Sequence, residues 1–340
     1  MMIRRVQATG GASLSVTLPK RWVVRNKLRA KDKVIIDDLN GWILIKPDGS
    51  KAKKKIYKSV INTSLMTPNR LSWELEACYV SGVDEVEIVN SQVLPEQMRL
   101  IRGVIANLLG FEIVEVSFDR VVIKNIYDHD RLPLKQAMQQ LLVMTKRMFE
   151  EVIECMLAGN KTGAKELIER DDEVDKLYKM IFRQSVLVMG QEDPELSGKM
   201  GIAEAQYYRN IAMCMERIAD HAANLAKFLL QEEEISDWIG DEVPMRVIME
   251  LRKQLEAEIE MVMNTDKLVA YEVMEQCDKL EQRIGTLGLS KYRRKPHFSL
   301  VVSSLGRVRS YLMNTAEYTV DYVVWEQVGR GGFDKRTKNK

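Results

Sequence analysis

Histidine is nearly absent from this sequence, with three in 340 residues. That is too few for a His-rich metal site and argues against a histidine-based hydrolase. Cysteine is almost as sparse. Cys78, Cys155, Cys214 and Cys277 lie far apart with no CxxC spacing, which excludes a zinc-finger pattern and a disulfide framework. They read as small core residues in a reducing, cytoplasmic setting. No run of eighteen apolar residues occurs, so no membrane-spanning helix is expected. The opening stretch MMIRRVQATGG lacks an apolar h-region, and no secretion signal is expected. The helical half has no Glu-x-x-His pair of the kind that carboxylate-bridged di-metal oxidases use, and no loop is built for an anion. An enzyme is not expected.

What is present is an ordinary share of apolar (46%) and charged (29%) residues in a chain long enough for two or three cores. The net charge of +2 hides an asymmetry. Residues 1–55 carry fourteen Lys and Arg against four Asp, a charge of +10, which leaves −8 on the remainder. A basic head on an acidic body suggests that the head meets a polyanion.

Within the head, SLSVTLP alternates as a half-buried strand does. Pro19 marks a first helical turn, KRWVVRNKL supplies a short helix, and KVIIDD and WILIKP flank the hairpin signal Asn40-Gly41. This β-α-β-β unit of about 45 residues is too small to bury a core alone and is expected to pair with another copy. SVTLPKRW followed by DKVIID and ILIKP resembles the AbrB-like swapped-hairpin domain over residues 3–47. The likeness departs at Lys31, where that family has Gly before the Asp. It implies an interlocked homodimer that binds DNA around the LPK turn, with Arg4, Arg5, Lys20, Arg21 and Arg25 as contacts. A pure dimerisation module with solvated charges is the alternative.

KPDGSKAKKKIYK reads as an exposed linker. Beyond it, KSVINTSL, VDEVEIV, FEIVEVSF and RVVIKNIY are strand-like and alternate with two helical stretches, NRLSWELEACYVSG and PEQMRLIRGVIANLLG. The last two strands form a hairpin. Residues 58–131 thus read as a small structural α+β region.

From Pro133 the period is helical, over 134–158, 161–189, 202–231, 245–264, 266–288 and 298–328. EVDKLYKMI at 173–181 is echoed by QCDKLEQRI at 276–284, and MCMERIADHAANLA at 213–226 by YLMNTAEYTVDYV at 311–323. The offsets of 103 and 97 point to one duplicated three-helix unit. ERDDEVDKLY and MERIADHAANLA resemble the PhoU phosphate-uptake regulators, in an arrangement similar to archaeal PhoU-type proteins with an AbrB-like head. The resemblance implies metal clusters held by paired acidic motifs: Asp171 with Asp175, and Glu216 with Asp220. In the second bundle Met274 and Met313 replace one member of each pair, leaving a degenerate site of Asp278 and Glu317.

Helical geometry weighs the pairs differently. Asp171 and Asp175 fall inside the apolar face of their helix and need a compensating cation, either a metal or a neighbouring Arg. Glu216 and Asp220 lie roughly 120–160° from their helix's apolar seam, where a solvated ion-pair ladder competes with a metal platform. Alanines at 205, 212, 219 and 223 admit a close neighbour there. Four carboxylates would suit hard divalent or trivalent cations (iron, zinc or magnesium). His221 reads as a hydrogen-bonded structural residue, and the nineteen methionines as adaptable core filler.

The expected architecture is therefore multidomain. It has an AbrB-like head (1–48), a linker (49–57), the α+β region (58–131), PhoU-like three-helix bundles at 132–240 and 241–328, and a basic tail (329–340). The expected activity is a cytoplasmic regulator of phosphate-transport genes that binds DNA as a homodimer and senses through its body. The alternative is a non-DNA-binding adaptor that docks on a phosphate-transporter ATPase or a sensor kinase.

Overall fold

A computed structural model describes residues 3–11, 13–39, 42–48, 56–127, 132–190, 201–231, 235–295 and 297–329. They fall into two compact units, Met1–Lys55 and Ile56–Lys340.

The first unit comprises two hairpins around one short helix. Strands β1 (Gln7–Thr9) and β2 (Ser13–Ser15) pair antiparallel, helix α1 covers Lys20–Arg25, and β3 (Val34–Leu39) pairs with β4 (Trp42–Pro47). The order is β-β-α-β-β, one strand more than the sequence pattern suggests. β1 contains none of the branched or aromatic residues that mark strands, apart from Thr9 at its end. Its signal is the turn, where Gly10 takes φ 74°, a conformation open to glycine. Pro19 caps α1. Asn40-Gly41 lies outside the described residues, but Leu39 faces Trp42 across it. Lys31, the position that departs from the AbrB pattern, takes φ 77°, so the turn is kept without the glycine that suits it. None of this unit's described residues is buried, and Leu14, Val16, Val24, Ile36 and Ile43 are all more than half exposed.

The second unit begins with a four-stranded sheet of order β5-β6-β8-β7. Strand β5 (Lys58–Asn62) runs parallel to β6 (Glu85–Val89) through the crossover helix α2 (Pro68–Val80). Helix α3 (Pro95–Ile105) leads to the antiparallel hairpin of β7 (Phe111–Val116) and β8 (Arg120–Asn125). One face is apolar: Ile61, Val86, Ile88, Val121 and Ile123 pack with Leu71, Leu75 and Tyr79 of α2 and Ile101 of α3. The other face is charged. Register sets Glu85 between Lys58 and Lys124, at 2.6 and 3.2 Å, as expected for a sheet with one wet side.

Among the described residues six long helices follow: α4 (Leu134–Ala158), α5 (Lys161–Met189), α6 (Ile202–Gln231), α8 (Glu242–Asn264), α9 (Lys267–Gly288) and α10 (Phe298–Gly329). The single turn α7 (Ser236–Ile239) lies between α6 and α8. Their bounds match the sequence periods to within three residues. Helix ends use ordinary chemistry: Gly159 turns left-handed (φ 64°) after α4, and the side chains of Asn160 and Asp266 cap α5 and α9. Helices α4, α5 and α6 pack together, as do α8, α9 and α10. Packing of α6 on α10 and of α4 on α8 joins the two bundles into one continuous apolar core from Leu134 to Ala316. Among the described residues no helix is long and apolar enough to cross a membrane.

Arg183 ties the α+β region to α5. It is 1% exposed, and it donates to the carbonyls of Tyr79 (2.6 Å) and Val83 (2.9 Å) and to Asp84 (3.3 Å). The first two carbonyls lie at the end of α2, where cations are favoured. Gly82 (φ 85°) lets the same turn press on α5, since a Cβ there would sit 2.7 Å from Leu187. Arg183→Ala leaves Asp84 and two carbonyls without this donor. It is expected to cost about 3–5 kcal/mol in urea unfolding, with the loss of protection concentrated in α2 and β6 by hydrogen exchange.

Candidate metal centre

Asp171 and Asp175 sit four residues apart on α5, so helical geometry stacks them on one face. Glu216 and Asp220 have the same spacing on α6, which packs directly against α5. Oxygens of Asp175, Glu216 and Asp220 all approach within 4.8 Å of one another. Oxygens about 2.0–2.6 Å from one cation can lie that far apart. Asp171 borders this triad. Its Oδ1 is buried without a hydrogen-bond partner, and the buried Glu216 Oε2 has only an ion pair with Arg217 Nε at 3.3 Å.

The orientation of α6 differs from the sequence expectation. Glu216 and Asp220 do not line a solvated face, because their side chains are only 12% and 33% exposed. The seam of Ile211, Met215 and Ile218 is one of several buried stripes, since α6 is packed against α4, α5 and α10. The ion-pair ladder is nevertheless partly present: Arg217 reaches Glu216 at 3.3 Å and Asp220 at 3.0 Å. Arg209, two turns before Glu216, lies over the Phe182 ring at 4.1 Å.

Electrostatics follow from this crowding. Burial, then Asp220 and Asp175, push the Asp171 carboxyl up to about 6. Burial, then Asp220, push Glu216 up to about 7. Burial also raises Asp175, against the pull of Lys179, an amine that is itself paired with Glu76 of α2 at 3.2 Å. An oxygen-only set of crowded carboxylates, with Arg217 as the cation that pairs with two of them, fits a hard cation.

The second bundle does not repeat this cluster. Asp278 is 68% exposed and pairs with Arg309 at 3.4 Å, and Glu281 pairs with the same guanidinium at 2.8 Å. Glu317 is exposed. Among the described residues neither Asp278 nor Glu317 belongs to a group of three ligand-type side chains. Met274 and Met313 pack against the core instead. Arg309 was missed by the sequence reading, although the offset of 97 sets it over Ala212 and so marks a gained charge. His221 stays outside the triad; its Nδ1 makes no hydrogen bond, contrary to expectation, and its ring lies 6.1 Å from Tyr311.

In the first unit the five residues expected to meet DNA are at least partly exposed. Lys20 and Arg21 open α1 and Arg25 ends it, while Arg4 and Arg5 precede β1. A shallow groove of about 480 Å³ in the same unit is lined by Lys27, Lys31 and Lys33.

Comparison with known proteins bears on both ends of the chain. Residues 138–229 match the family profile described as PhoU domain. The chain carries a PhoU domain. The match falls on the first bundle, the one that keeps both carboxylate pairs. Residues 7–53 match the profile described as antidote-toxin recognition MazE, bacterial antitoxin, in accord with an AbrB-like head. A phosphate-specific transport system accessory protein PhoU homolog from Clostridium acetobutylicum is 25% identical over 228 residues, covering 60% of this chain and 97% of that protein. A protein of the same description from Rhizobium meliloti is 29% identical over 94 residues, 28% of this chain and 37% of that one. The crystal structure of PhoU from Pseudomonas aeruginosa matches 60% of this chain and 100% of its own at 11% identity, with a TM-score of 0.46. The phosphate transport system regulatory protein PhoU from Streptococcus pneumoniae matches 58% and 94% at 15% identity, with a TM-score of 0.44.

The raised carboxyls give the metal-free PhoU-type body a definite pH dependence. The folded state holds the protons of Asp171 and Glu216 more tightly than the unfolded chain, whose values are near 3.8 and 4.5. Their contribution is therefore fully present below about pH 4 and is lost as pH rises to about 7. In chelator, Asp171→Asn and Glu216→Gln are each expected to raise the urea midpoint at pH 8 and leave it unchanged at pH 4. A midpoint that moves equally at both pH values contradicts this account.

Proposed function

We propose that this protein is a PhoU-type accessory regulator of phosphate transport that works as a DNA-binding transcriptional regulator with a cation-sensing body. The observation that carries this reading is the union, in one chain, of a PhoU domain with a MazE/AbrB-like head charged +10. The head binds DNA as a homodimer in the cytoplasm. Support for the dimer is the absence of a buried core among the head's described residues while several of its large apolar residues are exposed, a state that a second copy would relieve. Arg4, Arg5, Lys20, Arg21 and Arg25 supply phosphate and groove contacts, and each phosphate neutralised adds about 0.9 to the slope of log affinity against log salt.

In the body, Asp175, Glu216 and Asp220, with Asp171 beside them, hold one or more hard cations. Magnesium and iron suit the all-oxygen set better than zinc, which favours nitrogen and sulfur donors. A bound cation supplies the charge that four crowded carboxylates lack, and removes part of the body's repulsion from DNA. Asp278 and Glu317 hold none, because Arg309 already supplies a fixed positive charge beside Asp278. The targets are phosphate-transport genes, by analogy with the role named for the relatives. The adaptor reading, docking on a transporter ATPase or sensor kinase without DNA, draws on the same relatives, which are named accessory proteins.

Fluorescence anisotropy on duplexes from phosphate-transport promoters separates the two. Tight binding with a steep salt slope is expected, lost in Lys20→Ala/Arg21→Ala. Equal, weak binding to promoter and random duplexes sinks the DNA reading and leaves the adaptor. Cation binding is checked apart, by calorimetry with Mg²⁺, Zn²⁺ and Fe²⁺. At least a tenfold affinity loss is expected in Asp175→Asn/Asp220→Asn (about 1.4 kcal/mol), and unchanged affinity rejects the site.

A further inference from the structure

One ionisable side chain lies in the molecule's interior with no role in the carboxylate cluster. Glu258, on α8, is 0% exposed, and neither of its oxygens has a hydrogen-bond partner of ordinary geometry. It sits where the two bundles share their core. The ionisable groups that it acts on are Tyr207 and Cys214 of α6, from the first bundle, and Cys277 of α9, from the second. Among the described residues the one hydroxyl that acts on it is that of Thr315 of α10, which pulls its pKa down against burial. Charged residues of α4 that reach α8 engage elsewhere, Lys146 with Glu256 at 3.3 Å and Glu150 with Arg252 at 2.7 Å. Among the described residues no cation offsets the burial of Glu258.

Complete burial, with little hydrogen-bonding help, decides its charge state. The Thr315 hydroxyl donates to the Leu312 carbonyl at 2.8 Å. Thr319 donates to the Thr315 carbonyl at 2.9 Å. With the Thr319 hydrogen committed, Tyr207 must be the donor in its 2.9 Å contact with Thr319. These hydrogens are engaged, and among the described residues only the Thr315 hydroxyl can share its hydrogen with Glu258, a pull that burial outweighs. A carboxylate there would be buried with no cation and at most that one shared donor, whereas a protonated carboxyl has no charge to bury.

We propose that Glu258 is a proton-operated latch between the two helical bundles, protonated in the closed packing and opposed to that packing when ionised. The unfolded reference for Glu258 is 4.5, and burial raises it to about 8 in the fold. Its support for the closed state is fully present below about pH 4.5 and falls as pH rises to about 8. Above that, the charge lies in the shared core.

Cys214 and Cys277, 1% and 0% exposed on either side of the joint, report its opening. The experiment follows labelling of the full chain by a maleimide from pH 6 to 9.5. Rates for each thiol are divided by its rate in the denatured chain at the same pH, with Cys78 as an internal reference in the α+β region. Normalised labelling of Cys214 and Cys277 is expected to rise about tenfold between pH 7 and 9, with Cys78 unchanged. Glu258→Gln, neutral and of the same shape, is expected to abolish the rise. It should also lift the melting temperature at pH 8.5 by at least ~3 °C relative to wild type, with no lift at pH 4.5. Glu258→Leu tests the same absence of charge without a donor. A parallel pH profile in wild type and Glu258→Gln overturns the proposal. So does failure of both neutral variants to fold, since a latch held by a neutral group tolerates a neutral substitute.

Discussion

Helix α6 is packed on three sides, and much of the body follows from that constraint. It touches α4 and α5 within its own bundle and α10 of the other. A helix so enclosed has no wide wet face, and its sequence answers with small residues: Ala205, Ala212, Ala219, Ala222, Ala223 and Ala226 are all at most 1% exposed. Small residues bring neighbouring axes close. Closeness to α5 is what forces Glu216 and Asp220 into the company of Asp171 and Asp175, and closeness to α10 fuses two bundles into one core. The carboxylate cluster is thus a consequence of the packing and a charge on its stability at neutral pH.

The same constraint explains what could and could not be read in advance. Helix bounds were legible because Gly, Pro and Asn punctuate a strong 3.6-residue period, as at Gly159 and Asn160. The α+β region was legible because its strands alternate and its helices are short and amphipathic. The lining of the site was legible on α5, where Asp171 and Asp175 interrupt an otherwise apolar stripe. It was not legible on α6, because helical periodicity picks out one apolar stripe and leaves a wide opposite side to water, whereas a helix with three neighbours keeps only a narrow exposed line through Gln206, Met213, Arg217 and Lys227. Strand β1 was missed because its residues are small and polar and its pairing is declared only by Gly10-Gly11. Arg183 and Glu258 were missed for a related reason: a lone charged residue in a helical pattern looks the same whether it faces water or the core.

Those two residues show opposite solutions to burying an ionisable group. Arg183 keeps its charge, because it brings donors to a place that already offers acceptors, namely two carbonyls at the end of α2 and the Asp84 carboxylate. Glu258 brings a carboxylate to a place that offers no cation and at most one shared hydroxyl hydrogen, and a proton removes the charge that burial opposes. The first arrangement fixes the α+β region on the body regardless of ordinary pH. The second makes the joint between bundles answerable to pH. Stability and responsiveness are assigned to different interfaces by what each buried ionisable group finds around it.

Duplication sharpens the point. The two bundles follow one pattern, visible in EVDKLYKMI and QCDKLEQRI, and both put acidic residues at equivalent places. The first bundle keeps four carboxylates with Arg217 at their edge, so positive charge is short there. The second replaces two of them by Met274 and Met313, which pack on the core, and adds Arg309, whose guanidinium holds Asp278, Glu281 and the Cys277 carbonyl together. A covalently attached cation is always in place and cannot report a concentration, whereas a cluster short of positive charge can respond to a cation in solution. The geometry therefore concentrates any cation response in the first bundle and leaves the second as a rigid counterpart across the shared core.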